Sequence, residues 1–290
     1  KKNQLTKAVQ LTKESDLTVL VLGLNERLEG EEMSINVEGF SRGDRTSLQL
    51  PNSQVELMKA VVNTGKPVVL VLLNGSALAI NWASENMPSI LTAGYPGEEG
   101  GNAIADVLFG DYNPAGRLPV TYYKSVDQLP DFENYDMAGR TYRYFQGDAL
   151  YPFGYGLSYT SFEYSNLQLS SSFKMNESID VSVEVKNTGE MAGDEVVQLY
   201  IKDVKGSTPR PLVELKGFER IHLHKGEQKS VHFTIFPWQL AMINSKEELV
   251  IEPGNFIVYV GGKQPDSIIE NQDLLKKEIQ LKGKVTAVKK

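Results

Sequence analysis

The feature that most constrains this chain's fold is a change of hydrophobic period part-way along it. In the first part the apolar residues come in continuous runs: "LTVLVLG" (17–23), "KPVVLVLL" (66–73) and "PSILTAG" (88–94). Between them lie helical patterns at about 3–14, 53–64, near Trp82, and 100–110. Runs without polar alternation suit strands covered on both faces by helices. Their alternation with helices predicts a layered α/β domain with a mainly parallel sheet. From about residue 162 the period becomes two. "ESIDVSVEVKN" sets Ile179, Val181, Val183 and Val185 against polar neighbours, and "DEVVQLYIKD", "QKSVHFTIF" and "NFIVYVGG" follow, spaced by Gly, Asn and Pro. That pattern predicts a small antiparallel β-sandwich of the immunoglobulin or fibronectin type.

The boundaries expected are an α/β sandwich domain over 1–135 and a β-sandwich over 162–290. The stretch between, 136–161, is rich in aromatic residues and glycine. It is too aromatic for a flexible linker, and is expected to strap the two domains together. A length of 290 residues is sufficient for both domains. A net charge of −7 leaves no basic excess to neutralise phosphates, so nucleic acid is not an expected partner. The apolar runs are too short to cross a membrane as helices. With no cysteine, disulfides and thiolate metal sites are excluded, while the compartment stays open. The chain opens in mid-pattern and reads as a piece of something longer.

Among candidate sites, the loop over 24–51 stands out. Connections in α/β units run about 2–6 residues, and much longer ones tend to be functional or disordered. This one follows the carboxyl end of a strand, where open α/β sheets place ligands. It carries "LEGEEM" (28–33), three carboxylates around a glycine, and later "GDR" (43–45). The plain alternative is a solvated acidic loop braced by an Asp44–Arg45 pair. "GYPGEEGGNAIADVLFG" opens a helix but has neither the lysine of a P-loop nor dinucleotide-binding spacing. Its glutamates suit a helix start and would repel an anion, so no nucleotide cofactor is expected. His222 and His224 lie two apart on one strand face, opposite Ile221 and Leu223. With His232 they could form a three-histidine metal site, but a solvent-facing sheet surface is the simpler reading, and no metal is expected. The first domain has no histidine and no G-x-S-x-G, so chemistry there falls to carboxylates. Tyr95 and Trp82 read as ordinary core or surface residues. Arg140–Phe145 ("RTYRYF") reads as packing between domains rather than part of a binding site.

Taken together, "LEGEEM…GDRTSLQLPNSQ", "TGKPVVLVLLNGSAL", "AGYPGEEGGNAIADVLFGDYNPAGRLPVTYY", "RTYRYF" and "YPFGYGLSYTSFEYSNL" resemble the C-terminal portion of family 3 glycoside hydrolases. These are exo-acting β-glucosidases, β-xylosidases and their relatives. The resemblance runs over nearly the whole chain. It implies an α/β sandwich followed by a fibronectin type III-like domain, without the barrel-type domain that precedes them in the family. The family's nucleophile, an aspartate of that barrel, is absent from this chain. Its general acid/base is a glutamate in an E-G/A-E pattern ahead of "…DR…LP", which points here to Glu31, with Glu32 and Glu29 as the alternatives. Asp44 and Arg45 are expected to brace that loop.

The resemblance implies a retaining hydrolase that removes terminal β-D-xylosyl or β-D-glucosyl residues from oligosaccharides without a cofactor. The form of the loop leans towards xylose. The expected partners are the oligosaccharide and the barrel domain of the same protein. The chain alone is expected to be inactive, the compartment periplasmic or extracellular, and a homodimer is compatible with the sequence. A different class is also open: a non-catalytic carbohydrate-binding or structural module.

Overall fold

A computed structural model of the chain describes residues 2–30, 32–35, 37–265 and 274–288. It divides into two compact units. The first comprises Lys1–Phe109, Thr121–Asp131 and Gly147–Tyr151; the second comprises Gly110–Val120, Phe132–Gln146 and Pro152–Lys290.

In the first unit the helix α1 (Lys2–Glu14) leads into β1 (Thr18–Gly23). The long loop that follows holds a two-strand hairpin, β2 (Phe40–Ser41) and β3 (Asp44–Arg45). Then come α2 (Asn52–Val62), β4 (Val68–Leu73), α3 (Asn81–Asn86), β5 (Ser89–Thr92) and α4 (Gly100–Phe109). The strands form a three-stranded parallel sheet in the order β1-β4-β5, with Thr18 opposite Val68 and Val69 opposite Ser89. Each parallel pair is joined through a helix, as parallel pairing requires.

The central strand behaves as its continuous apolar run predicts: Leu70, Val71 and Leu72 are all fully buried. The edge strand β1 does not. Leu20 and Leu22 are buried, whereas Val19 and Val21 are 44% and 53% exposed. Among the described residues, then, both faces are covered at the middle of β4, with Val69 and Leu73 half-buried, and only one face is covered at β1.

The end of β1 is fixed by α2. Gln54 donates from Nε2 to the Gly23 carbonyl (2.7 Å) and accepts from the Gly23 N–H at Oε1 (2.9 Å). Gly23 has φ +145°, and a Cβ there would overlap the Leu73 carbonyl oxygen. Only glycine lets the two strand ends approach so closely.

The second unit begins its β-structure at β6 (Phe162–Gln168), after the short helix α5 (Thr141–Tyr144). β7 (Ser172–Lys174), β8 (Ile179–Asn187), β9 (Gly193–Asp203), β10 (Glu214–Leu223) and β11 (Gln228–Ile235) follow. Then come β12 (Met242–Ile243), β13 (Leu249–Ile251), β14 (Gly254–Gly261), β15 (Leu274–Lys282) and β16 (Thr286–Ala287). One sheet has the order β10-β9-β14-β15-β7, a second has β11-β8-β6, and a small third has β12-β13-β16. All pairs in the two larger sheets are antiparallel except β15 with β7.

The alternation read from the sequence is the core of this sandwich. Ile179, Val181, Val183 and Val185 on β8 are essentially fully buried and join Val197, Leu199, Val258, Val260 and Leu223 in one cluster. Of the aromatic stretch 136–161, residues 147–151 fall in the first unit and the remainder in the second. In the second unit Tyr142 stacks on Phe153, with centroids 4.2 Å apart, and both rings meet Tyr200 edge-on. In the first unit Tyr122 and Tyr151 form an isolated antiparallel bridge.

Candidate active site

The carboxyl ends of the three parallel strands run into "LN" (24–25), "NGS" (74–76) and "AGY" (93–95). Glu29 spans all three segments. After β1 the chain turns at Asn25, whose Oδ1 accepts from the N–H groups of Arg27 and Leu28 at 3.0 and 3.1 Å. The N–H groups of Leu28 and Glu29 bond back to the Asn25 carbonyl. This compact turn sends the Glu29 side chain over the strand ends. There its carboxylate accepts from the Gly75 N–H (3.1 Å), the Ser76 hydroxyl and the Tyr95 phenol.

Arg45 locks the same region from the other side. Its Nη1 donates to Ser76 Oγ (2.7 Å) and to the Ala77 carbonyl (2.8 Å), and its Nε to the Ser47 carbonyl (3.1 Å). Ser76 is therefore a shared node, donating to Glu29 and accepting from Arg45. The guanidinium is spent on these groups rather than on Asp44, so Arg45 braces the loop by tying its hairpin to the start of the β4 exit. Beneath, the buried Asn74 donates to the Ser76 carbonyl (2.9 Å) and to the Tyr122 hydroxyl (3.2 Å), and its Oδ1 has no partner among the described residues.

The electrostatics follow from these contacts. Burial pushes the Glu29 carboxyl up, but the hydrogen bonds from Ser76, Tyr95 and Gly75 and the charge of Arg45 outweigh it. The group lies below its ordinary value and is ionised at neutral pH. Tyr95 is pushed up to about 12 by burial first, then by its bond to the Glu29 carboxylate and by that charge. Tyr122 is raised in the same direction, chiefly by burial.

Of the three clustered glutamates, then, Glu29 is held at the strand ends and Glu32 is exposed, with a left-handed φ of 50°. Glu31 lies outside the described residues. Two described residues near it in the chain have fixed contacts: the Glu29 carboxylate accepts from the Gly75 N–H, and the Met33 N–H donates to the Arg42 carbonyl (2.9 Å). Gly30 has no room for a side chain, because a Cβ would overlap Met33 Sδ and press on the Glu26 carbonyl.

Sequence reasoning found the loop but missed Asn74, Ser76 and Tyr95. The available signal was position: "NGS" and "GY" both follow apolar strands at the sheet edge where open α/β sheets bind ligands. The histidines stand apart. His222 and His224 are exposed opposite the buried Ile221 and Leu223, and His222 Nδ1 lies 2.6 Å from Asp194 Oδ1. His232 is on β11, in the other sheet. Among the described residues no three histidine or acidic side chains gather as metal ligands. Arg140–Phe145 lies in the second unit, where Arg143 pairs with Glu214.

Comparison with known proteins accounts for both units. Residues 2–159 match the glycosyl hydrolase family 3 C-terminal domain, and residues 195–264 match a fibronectin type III-like domain. A xylan 1,4-β-xylosidase of Xylanibacter ruminicola is 44% identical over 245 residues, which are 84% of this chain and 28% of that protein. A periplasmic β-glucosidase of Salmonella typhimurium is 42% identical over 270 residues, 89% of this chain and 34% of that protein. Among solved structures, a β-glucosidase from Erythrobacter marinus superposes with a TM-score of 0.83 at 40% identity, covering 97% of this chain and 36% of its own. A β-glucosidase from Listeria innocua in complex with glucose gives 0.82 at 32% identity, covering 99% and 39%. The chain spans about a third of the length of these relatives. With its α/β unit and its β-sandwich both matched, the chain belongs to glycosyl hydrolase family 3, of which it carries the C-terminal domain and the fibronectin type III-like domain.

Proposed function

We propose that this chain is the C-terminal part of an exo-acting retaining β-glycosidase that removes terminal β-D-xylosyl or β-D-glucosyl residues from oligosaccharides. The observation that carries the reading is an acidic loop tied down over the carboxyl ends of a parallel sheet, in a chain of this family. In such a reaction two carboxyl groups about 5–5.5 Å apart divide the work. One, ionised, attacks the anomeric carbon and forms a glycosyl–enzyme ester. The other protonates the departing oxygen, then takes a proton from the water that cleaves the ester, with net retention. The nucleophile is assigned to polypeptide outside this chain, in a barrel domain of the whole protein, and the acid/base to Glu31.

The state of Glu29 supports that division. A proton donor needs a carboxyl raised above its usual range, whereas Glu29 is held below it by three donors and a guanidinium. Glu29 serves better as the anchor and Glu31 as the donor. A second assignment has one observation behind it: Glu29 is the carboxylate seated at the strand ends, and a facing nucleophile's charge would lift its pKa. One experiment separates the two. In the full-length protein, Glu29→Ala, Glu31→Ala and Glu32→Ala are assayed on nitrophenyl β-xyloside and β-glucoside, with and without azide. The donor variant loses most of its turnover on glycosides with poor leaving groups, which need the proton. On activated aryl glycosides, where loss of the base slows hydrolysis of the ester, azide attacks the ester instead of water, restores turnover and releases a β-glycosyl azide. If no variant shows rescue, the acid/base does not lie in this cluster. If the wild-type protein hydrolyses no glycoside and still binds xylo- or gluco-oligosaccharides, the chain belongs to a binding module.

The periplasm or the exterior is the proposed compartment, on the strength of the periplasmic β-glucosidase among the relatives. Cell fractionation of the native source checks it.

A further inference from the structure

The tether around Glu29 has a shape that loop bracing alone does not require. Its donors come from two different strand exits, Gly75 and Ser76 after β4 and Tyr95 after β5, and meet on one carboxylate from the exit of β1. Arg45 alone already fastens the loop's hairpin to Ser76 and Ala77. The additional contact from Tyr95 acts on the residue just before Gly30, two positions ahead of Glu31.

We propose that Tyr95 is a positioning residue for the reaction: its phenol, with the Ser76 hydroxyl, pins the Glu29 carboxylate and thereby fixes the start of the acidic loop at the strand ends. The role rests on the glycosidase reading above, and it holds whichever of Glu29 and Glu31 gives the proton. If Glu31 is the donor, Tyr95 fixes the residue two positions before it in the chain. If Glu29 is the donor, Tyr95 fixes the group itself. The charged and titratable groups facing Glu29 are Arg45 on β3, Tyr95 after β5, and more distantly Tyr122, with Glu26 nearby on the loop acting on Tyr95. The elevation of Tyr95 to about 12 fits a phenol that donates to an ionised carboxylate.

Two measurements test this. In the full-length protein, Tyr95→Phe deletes one hydroxyl and keeps the ring. A misplaced acid hurts most where protonation is most needed. kcat is therefore expected to fall about 10- to 100-fold on an alkyl or unactivated aryl glycoside, much less on a dinitrophenyl glycoside, with KM little changed. Equal losses on both substrates mean a purely structural role, and no loss means no role; either overturns the proposal. Should Tyr95→Phe fail to fold, Ser76→Ala, which removes the second hydroxyl donor, takes the same assay. The contact is read separately in the 290-residue chain by NMR of tyrosine labelled at Cζ. Tyr95 should titrate near 12 and return towards the ordinary phenol value of about 10 in Glu29→Gln. An ordinary Tyr95 titration in the wild type overturns the clamp. A full-length protein that hydrolyses no glycoside overturns both the function and this role, while the tyrosine titration still reports whether the contact exists.

Discussion

Arg117 and Glu195 form an ion pair inside the β-sandwich unit, with Nη2 2.8 Å from Oε2 and side chains only 10% and 4% exposed. The pair is completed by further hydrogen bonds: Tyr164 donates to the other carboxylate oxygen (2.8 Å), and Arg117 Nε donates to the Gly262 carbonyl (3.3 Å). Arg117 comes from "GDYNPAGRLP", Glu195 from β9 and Tyr164 from β6, so one buried cluster joins three remote segments. Burial of two charges is offset only while each keeps its partner.

Arg117→Met should therefore destabilise the chain by about 3–5 kcal/mol near pH 7, because it strands a buried carboxylate. Burial already raises the Glu195 carboxyl, against the pull of Arg117 and Tyr164. Removing the guanidinium raises it further. A carboxyl raised in the folded state contributes stability that is fully present below its unfolded value and is lost as pH rises through its folded value. The variant's deficit should thus shrink as pH falls towards about 4. Denaturant titrations of both proteins at several pH values check this; a deficit independent of pH would show Glu195 to be uncharged in both.

The fold was legible wherever one local pattern carried it. The alternation of Val181, Val183 and Val185 placed them in the sandwich core, and each is essentially fully buried. The unbroken run through Leu70, Val71 and Leu72 announced a strand covered on both faces, and all three are fully buried. The same grammar failed at Val19 and Val21, since an apolar run reads alike in a central strand and at a sheet edge. At the site, the acidic loop was visible through its length and charge. Its partners were not: Ser76 and Tyr95 lie 47 and 66 residues from Glu29. Only the parallel order of β1, β4 and β5 gathers those three strand exits, and no spacing within the chain encodes it.

The contrast between core and edge can be measured. Leu199→Ala, at a fully buried position of β9, should cost about 2–5 kcal/mol by lost burial and the cavity left behind. Val19→Thr keeps a β-branched side chain at a half-exposed edge position, and in this chain should change stability by no more than about 0.5 kcal/mol. Equilibrium denaturation of the two variants separates them. A large loss at Val19 would mean that its exposed face is covered in solution.

Close approach at the end of β1 should tolerate no side chain. Gly23→Ala meets a forbidden backbone conformation and the Leu73 carbonyl together, and should cost about 3 kcal/mol. Gln54→Leu loses two hydrogen bonds to the backbone of the same residue, Gly23, for about 1–3 kcal/mol. Both act on the β1 end, so the double variant should lose less than the sum of the two. Native-state hydrogen exchange of β1 and β4 amides is the direct readout.

The Glu29 tether carries its own pH signature, opposite in sign to that of Glu195. Glu29 lies below its ordinary value because hydrogen bonds and Arg45 outweigh the opposing effect of burial. A carboxyl lowered in the folded state contributes stability that is present above its unfolded value and is lost as pH falls through its folded value. Protonation removes the charge and turns one carboxylate oxygen into a donor, which weakens the bonds from Ser76, Gly75 and Tyr95. The loop should loosen in acid, so exchange at the Gly75 amide should quicken as pH falls below about 4, after correction for intrinsic rates. In Glu29→Gln the contact is weaker at every pH and this acid-dependent step should vanish, leaving any acid response of Glu195 in place. Retention of the step in that variant would assign it to another carboxylate and separate the tether from the titration.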